Sequence, residues 1–532
     1  MEKSDRGGTD RGNVLFPKKE STIPKFLREW CLRYEDHVAL IAASREGERE
    51  RLTYRKLGEI VNQLSGELFA MGLAKGDRIV LGGPNTIEWE LFILAAASAG
   101  IVIVPLDTRS EHDFVRRVCE ETGVKFAFLS SLDCPLAQTP LPQTMLMSEL
   151  VAKSNKATPR MNDTVSPNDL YAIIYTSGTT SAPKGVMLTQ GNIASNIDGL
   201  QKHLDLGPSH ILLSVLPLAH ILEQVCGFLA TLSFGYTIII PEDRQPDTLT
   251  ALMKKYKTTA MMVVPYMLER MQETMTTTYR KKHLLSLVHL FGRLPFSIRR
   301  HALALLRGPH RTTRFMISAG APLLRTTKLF WEGLGVTVLE GYGLTETSPV
   351  LTLETKRERR LGSAGKAIPG VSIRIADDGE ILARGNSVFH GYFRNEVATR
   401  AVFENDWFKT GDMGELDRDG FLTIKGRKKY MLLDSRGINI YPEDVEAVLN
   451  AHHGVKDCCV ITASDEGRIE LTAVIVPKAN SAIDLKAVKD EANARLGNHQ
   501  QIVHLIIWDE PEFPKTLSLK NKRELIRAKI FG

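Results

Sequence analysis

No stretch of this 532-residue chain sustains the apolar run of roughly 18 residues that a membrane span requires, so no bilayer-crossing segment is predicted. The opening residues, MEKSDRGGTDRGN, hold charge and glycine but no apolar signal-peptide core. They are expected to be a disordered tail over 1–13, with the mature chain starting at Met1. Cysteine is scarce: Cys31, Cys119, Cys134, Cys226, Cys458 and Cys459 form no CxxC pair and no metal-ligand spacing, which excludes a disulfide framework or zinc ribbon. The adjacent Cys458 and Cys459 fall in an apolar strand pattern and read as core, and reduced thiols in a cytoplasmic protein are expected. Net charge is also small: 68 Lys and Arg against 62 Asp and Glu leave +6, too little over this length to imply nucleic-acid binding. A Walker P-loop is missing as well, because no Gly-Lys-Ser/Thr follows the chain's most conspicuous Ser/Thr/Gly run. The last absence is local. From Thr274 to Trp331 there is no Asp or Glu, while eleven Lys and Arg occur.

What is present is ordinary globular material, 43% hydrophobic and 24% charged, long enough for roughly three or four domains or subdomains. Thr53 precedes Leu57, Ile60, Val61, Leu64 and Leu68 at helical spacing, and Gly72 ends that helix. Arg78 to Leu81 predicts a strand. Asn85 with Glu88 resembles a capping box for a helix running to Ala99, and Ile101 to Val104 is continuously apolar, as a doubly covered parallel strand is. Strands then alternate with helices from Tyr171 to Pro265, which predicts two largely parallel α/β layers with ligands beyond the carboxyl ends of the strands. After Gly370 the pattern changes. Val371, Ile373 and Ile375 alternate up to an Asp-Asp-Gly turn and Glu380 to Ala383 returns, an antiparallel hairpin. From Arg427 a mixed α+β unit follows.

The stretch that organises these elements is Tyr175 to Gly185, YTSGTTSAPKG, directly after an apolar strand. Hydroxyls and backbone N–H groups are what polyphosphate oxygens need, Gly178 permits close backbone approach, and Lys184 adds a point charge. In that order the residues resemble the signature loop of the adenylate-forming superfamily, which includes acyl-CoA synthetases and the adenylation domains of peptide synthetases. The resemblance runs from about Leu52 to Arg523, with further matches at Glu340 to Thr347 (EGYGLTET), Thr410-Gly411-Asp412 and Gly426 to Glu446. It implies an α/β fold: a large N-terminal domain over 14–426, made of two doubly wound parallel-sheet subdomains to about 369 and a small β subdomain at about 370–426, then a smaller, mobile α+β C-terminal lid over 427–532.

The resemblance also implies roles for residues. Thr176, Ser177, Gly178, Thr179, Thr180 and Lys184 would cradle the phosphates of ATP. Gly320, Ala321 and Pro322, with Glu340, Gly341, Tyr342, Gly343 and Thr345, would line the adenine pocket, Tyr342 stacking on the base. Thr176 and Glu346 would hold Mg²⁺. Asp412, an acceptor-only group, suits the two ribose hydroxyls; Arg427 would reach the ribose, and Lys429 marks the hinge. Gly437 would line the path of a thiol arm, and His220 would gate the acyl tunnel. Near the end, Phe513 to Arg523 resembles the catalytic-lysine motif, although Leu519 stands where most members have Gly. Lys520 is assigned, with Lys515 and Lys522 as rivals.

These matches imply a ligase that makes acyl-AMP from ATP and a medium- to long-chain fatty acid, releasing pyrophosphate, and then passes the acyl group to CoA. Transfer to an acyl carrier protein is the alternative, and a catalytically silent nucleotide- or acyl-binding protein is the reading from another class. Whether the chain acts as a monomer or homodimer is left open. The acid-free span 274–331, with apolar Leu284 to Phe291 and Leu303, Leu305 and Leu306 between its basic residues, predicts two short amphipathic helices and peripheral association with anionic membrane.

Overall fold

The computed structural model describes residues 21–176, 183–281, 283–284, 295–433, 439–465, 468–478, 483–515 and 521–531. Among them, the first sheet has six strands in the spatial order Thr144–Leu146, Phe126–Leu129, Arg78–Gly82, Val102–Leu106, Leu170–Thr176 and Lys184–Thr189. All neighbours run parallel except the last pair. That exception departs from the strand–helix alternation predicted from Tyr171 onward, because a second strand follows the Ser/Thr/Gly run before any helix. The loop instead joins two antiparallel strands, with Thr176 paired to Lys184 across its neck. The helix comes only afterwards, at Gln190–His203. Thr189 caps it, its side chain accepting from the Asn192 N–H while the Asn192 side chain returns a bond to the Thr189 backbone.

A second sheet of nine strands is built around the parallel run Thr337–Tyr342, Phe315–Ser318, Ala260–Val263, Ile211–Leu213, Thr237–Pro241 and Val38–Ala43, with antiparallel strands at both edges. One core joins the two sheets. The helix Ile87–Ala99, apolar on all faces apart from Glu88, Glu90 and Ser98, is buried nearly all round and packs with residues from strands of both sheets. At about 1.5–3 kcal/mol for each large apolar side chain fully removed from water, Trp89, Phe92 and Leu94 alone account for a considerable share of the adhesion here. Its cap differs from the expectation. Thr86 accepts from the Trp89 N–H, because the Asn85 side chain is occupied elsewhere, donating to the Leu216 carbonyl at 2.7 Å and accepting from the Leu218 N–H at 2.9 Å. Asn85 thereby fixes the loop that leads into His220.

The hairpin predicted after Gly370 is present as Val371–Ile375 and Glu380–Gly385, in a five-stranded antiparallel sheet that also holds Trp407–Leu416 and Leu422–Arg427. Beyond it, strands Val455–Asp465, Arg468–Pro477 and Ile502–Ile507 form a three-stranded sheet flanked by helices Pro442–Asn450, Leu485–Asn493 and Arg523–Phe531. Cys458 and Cys459 are buried in this unit, one towards each side of the sheet.

Parts of the basic span 274–331 are rearranged relative to expectation. Its first apolar cluster, Leu285 to Phe291, lies outside the described residues. A helix is present at Phe296–Ala302, but it ends before Leu303, Leu305 and Leu306, on which the second helix was expected. However, Arg307 is buried, donating to the carbonyls of Thr313 and Arg300, and Lys328 is a core residue. Leu303 faces the core, whereas Leu305 is 72% exposed. Two of the eleven basic residues are therefore structural: each finds partners inside that offset the cost of burying a cation. Among the described residues no helix is long and apolar enough to cross a membrane.

Candidate active site

A single cavity of about 3080 Å³ runs between the sheets and the C-terminal unit. It is several times larger than the roughly 300–1,000 Å³ that holds one small ligand. Its polar part collects side chains from five separate stretches. Thr176 ends the strand Leu170–Thr176, Glu346 follows the strand Thr337–Tyr342, and Asp412 and Arg427 sit on paired strands of the antiparallel sheet. Gly320, Ala321 and Pro322 come from the turn after Phe315–Ser318. The ends of the strands Leu170–Thr176, Phe315–Ser318 and Thr337–Tyr342 deliver Thr176, the turn at Gly320 and Glu346, and the antiparallel sheet adds Asp412 and Arg427, so residues far apart in sequence meet here.

Asp412 is the centre of the nucleoside end. It is buried; one carboxylate oxygen accepts from the Tyr342 hydroxyl at 2.7 Å, and the other pairs with Arg427 Nε at 2.9 Å. Gly411 takes a left-handed φ of 70° so that Asp412 can turn inward, and its N–H donates to Glu380. Gly343 has no room for a side chain: a Cβ there would stand 1.8 Å from the Pro349 carbonyl oxygen. Burial and the neighbouring Asp412 push the Tyr342 phenol well above its ordinary range, so it stays a donor. Tyr342, Asp412 and Arg427, read separately from three motifs, are thus in direct contact. Gly341 and Thr345 line the same wall.

Glu340, the first residue of its motif, lines the cavity and is also anchored behind it. Its carboxylate lies 2.7 Å from Nζ of the buried Lys328, which makes a second 2.7 Å contact to the fully buried Glu354. Glu354 also accepts from the Glu340 N–H at 3.0 Å. Glu340 therefore also takes part in the framework that holds the Tyr342 strand.

At the phosphate end, Lys184 Nζ stands 5.0 Å from the ring centroid of Tyr392, and the Tyr392 hydroxyl donates to Glu346 at 3.0 Å. Sequence reasoning missed Tyr392. Its only signal was an aromatic inside HGYF, and tertiary pairing of Val186 with Tyr392 is what brings it across. Burial pushes the Glu346 carboxyl up, against the pull of the Tyr392 hydroxyl and Arg427, and among the described residues no cation is ion-paired to it. A carboxylate in that condition fits a divalent cation: the donor type is right, and a metal would repay the burial of its charge. Thr176 is within the same wall. Ser177, Gly178, Thr179 and Thr180 lie outside the described residues, as do Gly437 and Lys520.

His220 lines the cavity, with Nε2 3.6 Å from Asp107, whose carboxylate is held by Arg109 at 3.0 Å. Neither Asp107 nor Arg109 was legible in the sequence. Burial lowers the imidazole pKa more than Asp107 raises it, so the ring is neutral near pH 7. Past His220 the cavity wall turns apolar, with Leu200, Leu204, Leu212, Cys226, Phe234 and Met261. The segment Glu223–Leu229 beside it is a π-helix, where sequence periodicity predicted an ordinary helix.

Lys429, the expected hinge, is exposed and lies over the Tyr430 ring, while the preceding Lys428 pairs with Asp378 and Glu380. Gly426 marks the domain contact: a Cβ there would meet Glu443 Oε2 at 2.5 Å. Lys515, the rival to Lys520, has its ammonium 2.7 Å from Asp457, with the side chain 16% exposed.

The chain matches the model of the AMP-binding enzyme family over residues 27–393 and that of the AMP-binding enzyme C-terminal domain over 444–520. It is 32% identical to long-chain-fatty-acid–CoA ligase FadD15 of Mycobacterium bovis over 462 residues, 76% of this chain and 74% of the relative. A 2-succinylbenzoate–CoA ligase of Listeria monocytogenes is 27% identical over 91% of this chain and 95% of its own length. Among solved structures, ATP-bound MatB from Rhodopseudomonas palustris superposes with a TM-score of 0.80 at 26% identity, covering 96% of this chain and 99% of that one. With the family model spanning well over half of the sequence and the motif residues gathered on one cavity, the chain belongs to the AMP-binding enzyme family.

Proposed function

We propose that the protein is an ATP-dependent acid–CoA ligase that activates a medium- to long-chain fatty acid. The observation that carries this reading is the continuity of the cavity: the polar end with Asp412, Glu346 and Lys184's neighbour Tyr392 opens without interruption onto the apolar walls of Leu200, Leu204, Leu212, Phe234 and Met261. An acyl chain fits the second part and a nucleotide the first. The name of the M. bovis relative supports a long-chain acid, and the 2-succinylbenzoate ligase keeps a smaller, more polar acid as the competing choice.

In this reading Asp412 and Arg427 hold the ribose and Tyr342 covers the base. Lys184, the loop from Ser177 to Thr180 and Lys520 offset charge on the α-phosphate as the acid carboxylate attacks and pyrophosphate leaves. Mg²⁺, held by Glu346 with Thr176 nearby, would neutralise phosphate charge. His220, neutral and 3.6 Å from Asp107, lines the cavity and orients the acid carboxylate. In the second half-reaction the CoA thiol attacks the acyl carbonyl and expels AMP, with the C-terminal domain turned about Lys429 to bring in Gly437.

ATP–pyrophosphate exchange across acids of increasing chain length tests the first step. Strongest exchange with acids of about ten carbons or more is expected; strongest exchange with short or aromatic acids would move the substrate to that class, and none with any acid would favour a silent binding protein. Transfer to CoA against a carrier protein then separates the two acceptors. We also propose reversible docking on anionic membrane through Arg300, Arg311 and Arg314 together with the exposed Ile298 and Leu305.

A further inference from the structure

The motif carrying Lys520 has two feet, and both rest on one carboxylate. Lys515 and Asn521 pair across an antiparallel bridge, and the Lys522 N–H donates to the Pro514 carbonyl at 2.8 Å, which brings Lys515 and Asn521 side by side. Asp457, on the strand Val455–Asp465, contacts both sides of that neck: Oδ2 accepts from Lys515 Nζ at 2.7 Å and Oδ1 from Asn521 Nδ2 at 3.3 Å. Oδ1 also accepts from the Cys458 N–H at 2.9 Å, and Asn521 donates to the Cys458 carbonyl at 3.3 Å, which fixes the carboxylate on its own strand. The Lys515 foot reaches the N-terminal part of the protein as well. Its ammonium lies 5.3 Å from the ring centroid of Tyr266, at the start of the helix Pro265–Lys281, a cation–π distance. Tyr266, Lys515 and Asn521 line the same cavity as Glu346 and Asp412.

We propose that Asp457 is a positioning residue for acyl-adenylate formation: it clasps Lys515 and Asn521, the two residues that flank the stretch carrying Lys520, and through Lys515 standing on Tyr266 ties that clasp to the helix Pro265–Lys281. The proposal rests on the functional reading above and adds a residue that touches no substrate. Its physical basis is that a flexible lysine stabilises a transition state only if its base is held, since a displacement of about 1 Å can cost on the order of 10²-fold in rate. It also accounts for Lys515: that lysine is committed to Asp457 and Tyr266, which leaves Lys520, with Lys522 as its remaining rival, for the phosphate.

The test measures two half-reactions on the full chain, adenylation by ATP–pyrophosphate exchange and thioester formation from supplied acyl-adenylate and CoA. Asp457→Ala should lower kcat for the first by roughly 10- to 100-fold, with KM for ATP changed less than about threefold, and leave the second within about twofold. Lys515→Met and Tyr266→Ala should shift the same half-reaction, whereas Lys515→Arg, which keeps the ion pair, should retain most of it. Equal losses in both half-reactions, or full adenylation by a folded Asp457→Ala, would overturn the clasp. If Asp457→Ala does not fold, Asn521→Ala removes one foot only and is read by the same criteria. A wild-type enzyme that exchanges pyrophosphate with no acid overturns the functional reading and the clasp together; an active wild type with an indifferent Asp457→Ala sinks the clasp alone.

Discussion

Lys328→Met is the sharpest probe of how the nucleoside wall is built. Lys328 is 3% exposed and touches two carboxylates at 2.7 Å, Glu340 at 15% and Glu354 at 0% exposure. At an effective dielectric of about 20, each contact is worth roughly 6 kcal/mol of Coulomb energy, most of which offsets the desolvation of three buried charges. Methionine keeps the length and volume of the side chain and removes the charge. It leaves two buried carboxylates facing each other, so the loss should be about 3–5 kcal/mol, the range for breaking one partner out of a buried ion pair. Burial already raises the Glu340 carboxyl from 4.5 to about 7 against the pull of Lys328. The folded state therefore holds that proton more tightly than the unfolded chain does, and this group contributes more to stability near pH 5 than above pH 7. Without Lys328 the raise grows, so the deficit should be largest at pH 8 and shrink towards pH 5. Denaturant unfolding followed by tryptophan fluorescence reports on it directly, because Trp331 is fully buried on the same helix. Lys328→Met combined with Glu354→Gln should recover part of the loss. A deficit under about 1 kcal/mol, or one independent of pH, would refute the reasoning.

Other expectations follow from single contacts. Asp412→Ala should weaken ATP binding by about 1.5–3 kcal/mol while leaving binding of the acid substrate alone, as calorimetry would show; unchanged ATP affinity in a folded variant would make Asp412 a purely structural link between Tyr342 and Arg427. Glu346→Gln should raise the Mg²⁺ concentration for half-maximal adenylation by about tenfold or more, and Tyr392→Phe, which removes only the hydroxyl holding Glu346, by a smaller factor corresponding to roughly 0.5–1.5 kcal/mol. Equal effects of the two variants would contradict the arrangement. Co-sedimentation with anionic vesicles should occur at low salt and fade at high salt, and Arg300→Gln, Arg311→Gln and Arg314→Gln together should weaken it by about 1 kcal/mol per residue; binding that ignores all three would return the segment to ordinary surface.

The local order of residues determined a good deal by itself. Period and punctuation located the strand Arg78–Gly82, the helix Tyr54–Ala70 with its Thr53 cap, and the hairpin around Gly379, because each depends on contacts within a few residues. The resemblance of the motifs to those of a known superfamily implied that Tyr342, Asp412 and Arg427 share one site, and the structure brings the three into contact. What tertiary structure alone decided is how side chains at distant positions divide between framework and site. Glu340 and Lys328 looked like a nucleotide contact and a surface cation, and burial turned them towards each other. Tyr392, Asp107 and Asp457 carried no local signal, because each acquires its role only when a remote strand or loop delivers a partner: Glu346, His220, and the two feet of the lysine segment. A charged group's function is set by what removes water from it and what replaces that water, and neither is written in its immediate neighbours.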